Sequence, residues 1–258
     1  MYIGTSGWKY PRWRGDFYPA KLRQADELSY LARHMNSAEI NGSFYSLQRP
    51  ERYARWRDAT PEGFVFAVKG GRYITHLKKL HAPRTGLANF FASGPLALGA
   101  KLGPFLWQLP QILHYDRELL EGFLATLPRT SGEAAALAAC STRPNPYTEE
   151  PVPRRLRHAL EPRHESWHAA APLLRDYNVA LVCADTAGRF PEFTETTADF
   201  AYYRLHGPEK LYFGSYQGQL QQWAERLEPE RDTYVYFDND ADGAAPWDAV
   251  ALSSYISS

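Results

Sequence analysis

Residues 200–206 read Phe-Ala-Tyr-Tyr-Arg-Leu-His. The run has the aromatic and aliphatic character of a buried strand, and strand side chains alternate between two faces. Arg204 and His206 therefore point the same way, at the C-terminal end. The same grammar recurs along the chain. Seven further runs are short and mostly apolar: Tyr2–Gly4, Ser37–Ile40, Phe64–Val68, Pro104–Trp107, His158–Leu160, Ala180–Ala184 and Thr233–Phe237. Just inside or after them come Ser6, Glu39 with Asn41, Lys69, Gln108, Glu161 with Arg163, Asp185, and Asp238 with Asn239. Apolar strands with polar or ionisable residues at their C-terminal ends predict an α/β fold, the TIM-type (β/α)8 barrel, with a site at one rim.

Helical patterns lie between the runs. Asp26–Met35 lines up Leu28, Leu31, Ala32 and Met35, and Pro50 can open a helix over Glu51–Ala59. Asp116–Leu127 carries a stripe of Leu119, Leu120, Phe123, Leu124 and Leu127. Ser166 reads as the N-cap of a helix over Trp167–Tyr177, and Tyr216–Leu227 and Pro246–Ile256 complete the series. Strands alternating with helices predict a parallel sheet with helices outside it. Residues 70–103 read as a long loop with two short helices, Thr85–Ala92 and Pro95–Lys101. Residues 129–155 read as an excursion, Pro-rich after residue 143, and Thr186–Asp199 lacks a helical pattern, so one barrel helix is expected to be irregular or missing. The alternative, a doubly wound open sheet, calls for a Gly-x-Gly-x-x-Gly turn after the first strand, which Gly4-Thr-Ser-Gly7 does not match.

The length of 258 residues suits one barrel domain over 1–258. With 29 basic and 29 acidic residues the formal net charge is zero, which argues against strong non-specific nucleic-acid binding. Cys140 and Cys183 follow no metal-ligand spacing, and Cys183 reads as a buried strand residue; a reducing, cytoplasmic location is the expectation. A strand pattern begins at Tyr2 without the basic and apolar regions of a leader, so none is expected, and no run is long enough to span a bilayer.

Residues two apart on a strand share a face, so Glu39 with Asn41, Glu161 with Arg163, and Arg204 with His206 can face the barrel mouth in pairs. Glu161, Glu39, His206 and Asp185 are the candidates for acid–base work. Lys69, Arg163 and Arg204, with Asn41, His164, Gln108 and Asn239, are the candidates for holding an anionic ligand. The competing reading of the same residues is a buried ion-pair network, Glu161 with Arg163 or Arg204 and Glu39 with Lys69. Aromatic residues crowd the first loop, from Trp8 to Tyr18; most read as packing, with Trp8 a candidate ligand platform.

His164-Glu165-Ser166-Trp167-His168 matches the zinc-protease pattern His-Glu-x-x-His, which requires one continuous helix. Pro162 and the N-cap expected at Ser166 break that geometry. Glu39, Glu161, Asp185 and His206 have the donors for a divalent metal, but Lys69, Arg163 and Arg204 already compensate the carboxylates, so no metal site is assigned.

Seven phrases carry a resemblance: Gly4-Thr-Ser-Gly-Trp-Lys-Tyr-Pro-Arg-Trp13, Glu39-Ile-Asn-Gly-Ser-Phe-Tyr45, Val68-Lys-Gly-Gly-Arg-Tyr-Ile-Thr-His76, Leu102-Gly-Pro-Phe-Leu-Trp-Gln-Leu-Pro110, Glu161-Pro-Arg-His-Glu-Ser-Trp167, Tyr203-Arg-Leu-His-Gly207 and Tyr234-Val-Tyr-Phe-Asp-Asn-Asp240. In order, from residue 2 to about residue 252, they resemble the YecE-like family, the domain of unknown function seventy-two. The resemblance implies a single TIM-type barrel and brings no activity or cofactor with it. The chain departs from the family pattern at Asp238, where asparagine is usual, at Gly70-Gly71, where a bulkier residue or proline is common, and at Trp247-Asp248. The departures weaken Asp238 as a shared functional residue.

Three functions follow as expectations. The first is binding of a small phosphate- or carboxylate-bearing ligand at the rim, with hydrolase or lyase chemistry, since no nucleotide-cofactor fingerprint is present. The second is nucleic-acid binding or endonuclease-like processing, metal-assisted or not, through the first-loop aromatics and Arg12, Arg14, Lys21 and Arg23. The third is a non-catalytic scaffold with a structural ion-pair core.

Overall fold

A computed structural model describes residues 1–150 and 152–256. Pro151, inside the expected excursion, and the last two residues of the chain lie outside the described set. Among the described residues there are nine strands: β1 (Tyr2–Ser6), β2 (Ser37–Ile40), β3 (Val65–Lys69), β4 (Leu102–Gln108), β5 (His158–Glu161), β6 (Ala180–Leu181), β7 (Cys183–Asp185), β8 (Phe200–Leu205) and β9 (Asp232–Phe237). All pair in parallel, in the order β6-β5-β4-β3-β2-β1-β9-β8-β7. β6 and β7 are the two halves of the run expected at Ala180–Ala184, parted at Val182. The first half pairs with β5 and the second with β8, so one continuous stretch of chain closes the ring. The α/β barrel expected from the sequence is the fold.

The helices are α1 (Glu27–Leu31), α2 (Gly42–Tyr45), α3 (Pro50–Asp58), α4 (Pro83–Phe91), α5 (Arg117–Thr126), α6 (Ser131–Ala139), α7 (Ala171–Asp176), α8 (Leu220–Arg226) and α9 (Ala245–Ile256). Local chemistry sets their starts. Pro50 occupies the first turn of α3, where its missing N–H is no loss. The Asp116 side chain accepts from Leu119 N at 2.9 Å to cap α5, and the Thr130 hydroxyl accepts from Glu133 N at 3.1 Å to cap α6. α6 packs on α4, so the excursion after residue 129 contains an ordered helix. The connection from β7 to β8 contains no helix, as the sequence suggested.

One expected cap is different. The helical stretch after β5 begins with a 3₁₀ turn, Glu165–Ala170, whose N-cap is His164: its Nδ1 accepts from Ser166 N at 3.2 Å. His164 is extended and outside the helix, so His164 and His168 do not share a continuous helical face.

Two cores result. The larger lies between sheet and helices and includes Trp13, Trp107, Trp167, Phe66 and Phe123, all fully buried. The smaller fills the barrel itself with Ala67, Leu106, Ala159, Val182, Tyr202, Tyr234 and Tyr236. Among the described residues no helix is long and apolar enough to cross a membrane.

Candidate functional site

The barrel interior shows which side of each strand faces inward. Ala67, Leu106, Ala159, Tyr202 and Tyr236 belong to the interior core. Two residues further along each strand stand Lys69, Gln108, Glu161, Arg204 and Asp238, which alternation places on the same inward face, one layer higher. Ser6 and Glu39 complete this layer, side by side in the β1–β2 register. The top layer of the barrel is therefore polar, over a bottom packed with aromatic and aliphatic side chains.

Arg204 is the hub, and its side chain is fully buried. Nε donates to Glu39 Oε2 at 3.1 Å, and Nη2 donates to Glu39 Oε1, Ser6 Oγ and Asp238 Oδ2 at 2.8, 2.7 and 3.0 Å. Nη1 donates to Glu161 Oε2 at 2.9 Å and lies 3.1 Å from His206 Nε2. The carboxylates are themselves well supplied with donors. Glu39 also accepts from Ser6 Oγ at 2.7 Å and from the Tyr202 hydroxyl at 2.6 Å. Glu161 accepts from Gln108 Nε2 at 2.9 Å on each oxygen, a pairing set by the β4–β5 register, and from Arg163 Nη2 at 3.1 Å. His206 is fully buried; its Nδ1 stands 2.9 Å from Asp238 Oδ2 without hydrogen-bond alignment.

The electrostatics follow from this packing. Burial raises the pKa of Glu161, but Arg204, Arg163 and His206 outweigh it and hold the carboxyl well below its usual range. Burial likewise opposes the charge of Asp238, and Arg204 and His206 overcome it. Burial disfavours the charge on Arg204, yet Glu39, Glu161 and Asp238 keep it firmly protonated. Asp240 is pushed the other way, by burial and by the negative charge of neighbouring Asp238. Lys69 is pushed down to about 8, by burial and then by Arg204, against the pull of the carboxylates. His76 falls to about 4, by burial and by the charges of Lys69, Arg163 and Arg72.

Lys69 is the exception in the layer. It is only 8% exposed, yet among the described residues its ammonium has neither a hydrogen-bond acceptor nor an ion-pair partner, and it lies 4.6 Å over the Phe44 ring. Arg163 is the other incompletely used cation. It meets Glu161 through Nε and Nη2, stacks on Phe190 at 4.6 Å, and its side chain keeps 14% exposure.

Of the residues singled out from sequence, Glu39, Glu161, Arg204, His206, Lys69, Arg163 and Gln108 come together at this rim. Asn41 borders it, donating to Ser6 Oγ at 2.9 Å. Four lie elsewhere. Asp185 follows inward-facing Ala184 and so faces outward, where it accepts from the Tyr216 hydroxyl at 2.8 Å. Asn239 follows inward-facing Asp238 and pins the next loop, donating to Gly214 O and Asp248 Oδ2 at 2.7 and 2.8 Å. His164 caps its helix and stacks on His114, ring centroids 3.9 Å apart. Trp8 is 5% exposed and packs edge-on against Trp56. The four residues weighed as metal ligands do not converge: Asp185 is absent from the layer, and Glu39 and Glu161 are bound to Arg204. In the first loop, Arg14 pairs with Glu27 and Arg23 with Asp26.

Sequence reasoning passed over Ser6, Tyr202, Asp238, Asp240 and His76 as site residues. Strand parity carried the signal for three of them: Ser6, Tyr202 and Asp238 have the inward parity of their strands. Nothing local marked His76, which the π-helical turn Tyr73–Leu77 brings edge-on against Phe44, ring centroids 5.1 Å apart.

A cleft of about 430 Å³ opens beside the layer, lined by Trp8, Tyr10, Asn41, Tyr45, Arg52 and Trp56. Tyr10 and Asn41 tie it to the network, since the Tyr10 hydroxyl donates to Ser6 O and Asn41 to Ser6 Oγ. A second cleft, of about 300 Å³, is lined by Arg154, Arg157, Asp232 and Tyr234 at the N-terminal ends of the strands, the opposite end of the barrel from the charged layer.

The profile of a family described as "Protein of unknown function DUF72" matches residues 2–258. The chain is 34% identical over 131 residues to the UPF0759 protein YecE of Escherichia coli K12, covering 50% of this chain and 44% of that protein. It is 29% identical over 118 residues to the UPF0759 protein YunF of Bacillus subtilis, covering 43% and 40%. These matches span under half the length of the curated relatives. Among solved structures, a DUF72 family protein of Thermotoga maritima superposes with a TM-score of 0.76 at 25% identity, over 100% of this chain and 99% of that one. One from Enterococcus faecalis superposes with a TM-score of 0.76 at 19% identity, covering 100% and 95%.

Proposed function

This chain belongs to the DUF72 family, and from the chemistry of its rim we propose that it binds a small phosphate- or carboxylate-bearing ligand at the C-terminal mouth of the barrel. One observation carries this reading: Lys69, more than nine-tenths buried, has no acceptor within the protein, while the other charges of its layer are paired. The Nζ of this otherwise buried side chain keeps contact with solvent, so an incoming group can supply the missing negative charge. An anion between Lys69 and Arg163 does so, and Arg163 retains an exposed edge to receive it. Arg204 takes no direct part, because its N–H groups already serve Ser6, Glu39, Glu161 and Asp238; it holds the carboxylates in place.

The acid–base component rests on Asp240, whose carboxyl is pushed toward its neutral, proton-donating form by burial and by the charge of Asp238. Asp238, like Glu161, is held as an anion by Arg204 and serves as a support. Glu161 and Glu39, first choices from sequence, are held as anions or fully hydrogen-bonded and serve as supports.

The test is ligand-dependent stabilisation, read as the shift in unfolding midpoint on adding inorganic phosphate or oxalate. A ligand at about a hundredfold its Kd adds about 2.7 kcal/mol. The shift is expected in the wild type and lost in Lys69→Met and Arg163→Gln. No shift in the wild type, or an undiminished one in both variants, overturns the reading. The saturation of Arg204 also favours a second reading, a structural ion-pair core without a ligand, and that outcome would select it.

A further inference from the structure

We propose that Lys69 is a nucleophile that forms an imine with the carbonyl carbon of a small anionic oxo compound, a 2-oxo acid or a phosphorylated aldehyde or ketone, whose anionic group lies against Arg163. The proposal rests on the reading of the rim as an anion site and adds the reactive group that the ligand must carry.

Three features set Lys69 apart from an ordinary structural lysine. First, Glu39, Glu161 and Asp238 are close enough to act on its charge, yet none accepts a hydrogen bond from it, because all three are drawn to Arg204. The lone pair of its neutral form is left free for an incoming carbon. Second, the amine is held against an apolar surface, 4.6 Å over the Phe44 ring, in a layer whose hub is a permanent cation. A lysine desolvated beside another cation is the arrangement that keeps an amine nucleophilic. With the pKa brought down to about 8, about a tenth of it is unprotonated at neutral pH. Third, Lys69 is rigidly mounted. It is the last residue of β3, and its carbonyl accepts from Ser43 Oγ at 2.6 Å.

The chemistry balances without a further reagent. The Nζ lone pair forms the C–N bond while the carbonyl π pair moves to oxygen, which takes a proton. The carbinolamine loses that oxygen as water, with a second proton, as nitrogen gives up its own protons and the C=N bond forms. The net change is amine plus carbonyl to imine plus water, with no oxidant or reductant. Arg163 then fixes orientation: a carboxylate or phosphate on its exposed edge turns the carbonyl of the same molecule toward the centre of the layer.

The experiment treats the full chain with pyruvate or dihydroxyacetone phosphate and sodium cyanoborohydride near pH 8, then maps the reduced adduct by peptide mass spectrometry. The expected result is labelling of Lys69 about tenfold faster than the exposed lysines, falling about fiftyfold between pH 8 and pH 6 as the amine protonates. Labelling should be competed by inorganic phosphate and slowed in Arg163→Gln. Lys69→Arg keeps the cation but cannot form the imine, so it should show no adduct at that position and still be stabilised by phosphate. Labelling of Lys69 no faster than that of surface lysines overturns the proposal. If phosphate stabilises the protein and no adduct forms, the anion reading stands and the imine falls. An adduct without any phosphate effect supports the imine and removes the anion reading.

Discussion

Replacing Arg204 with methionine tests the organisation of the site most directly. The side chain is fully buried and directly contacts Glu39, Glu161 and Asp238, at 2.8, 2.9 and 3.0 Å. Methionine fills most of the volume but leaves three carboxylates facing one another with Lys69, Arg163 and His206 to offset them. Removing one partner of a buried ion pair typically costs about 3–5 kcal/mol. Here one guanidinium serves three partners, so the upper half of that range is expected at pH 7, a large part of the about 5–15 kcal/mol that holds a typical domain together. The pH dependence has a definite sign. In the wild type, Glu161 and Asp238 have folded pKa values below their unfolded ones, so their contribution is present above the unfolded values and is lost as pH falls through the folded ones. In the variant the same carboxyls lose their main cation, their folded pKa values rise, and acid relieves the repulsion. The stability gap between the two proteins should therefore narrow as pH drops from 7 toward 4. Urea unfolding at several pH values measures this. A loss under about 1 kcal/mol at pH 7, or a gap that does not change with pH, would refute the assignment of Arg204 as the electrostatic hub.

Further outcomes follow from single groups. Lys69→Met should be more stable than the wild type at pH 7, by about 1–3 kcal/mol, because the folded pKa of about 8 lies below the ordinary 10.5. The native protein sheds its proton before the unfolded chain does, so wild-type stability recovers between those values, and the variant's advantage should shrink in urea titrations from pH 8 to 10. Asp240→Asn should gain about 0.5–2 kcal/mol at pH 7, since burial and Asp238 hold the native carboxyl's pKa above that of the unfolded chain. That gain should fade toward pH 4, and a pH-independent difference in thermal midpoint would contradict it. Gly70→Ala should lose about 1–3 kcal/mol, because the added Cβ would lie 2.2 Å from the buried Trp107 ring; a loss under about 0.5 kcal/mol would show that the ring yields.

Gly70 is required in this chain because Trp107 occupies the space a side chain would need. Asp238 teaches a different lesson. The resemblance, with asparagine usual there, weighs against it, yet it is one of the three carboxylates around Arg204. Resemblance weighs a position by its commonest residue, whereas the inward parity of Tyr234, Tyr236 and Asp238 pointed to the barrel mouth from this sequence alone. Parity would also have set Asp185 aside, since inward-facing Ala180, Val182 and Ala184 leave it on the helix side.

Alternation and composition are local properties, so the sequence by itself determined the strands, their inward faces and the level at which Glu39, Lys69, Glu161 and Arg204 meet. It also marked the missing helix between residues 186 and 199. Which groups retain free donors or lone pairs was decided only by the tertiary structure. A guanidinium has five N–H groups wherever it lies. Whether they reach a ligand or are saturated by Ser6, Glu39, Glu161 and Asp238 depends on strands brought together from distant parts of the chain. The same convergence leaves Lys69 without an acceptor beside three carboxylates. Charge, burial and reactivity at the rim are joint properties of the closed ring, and no window of sequence contains them.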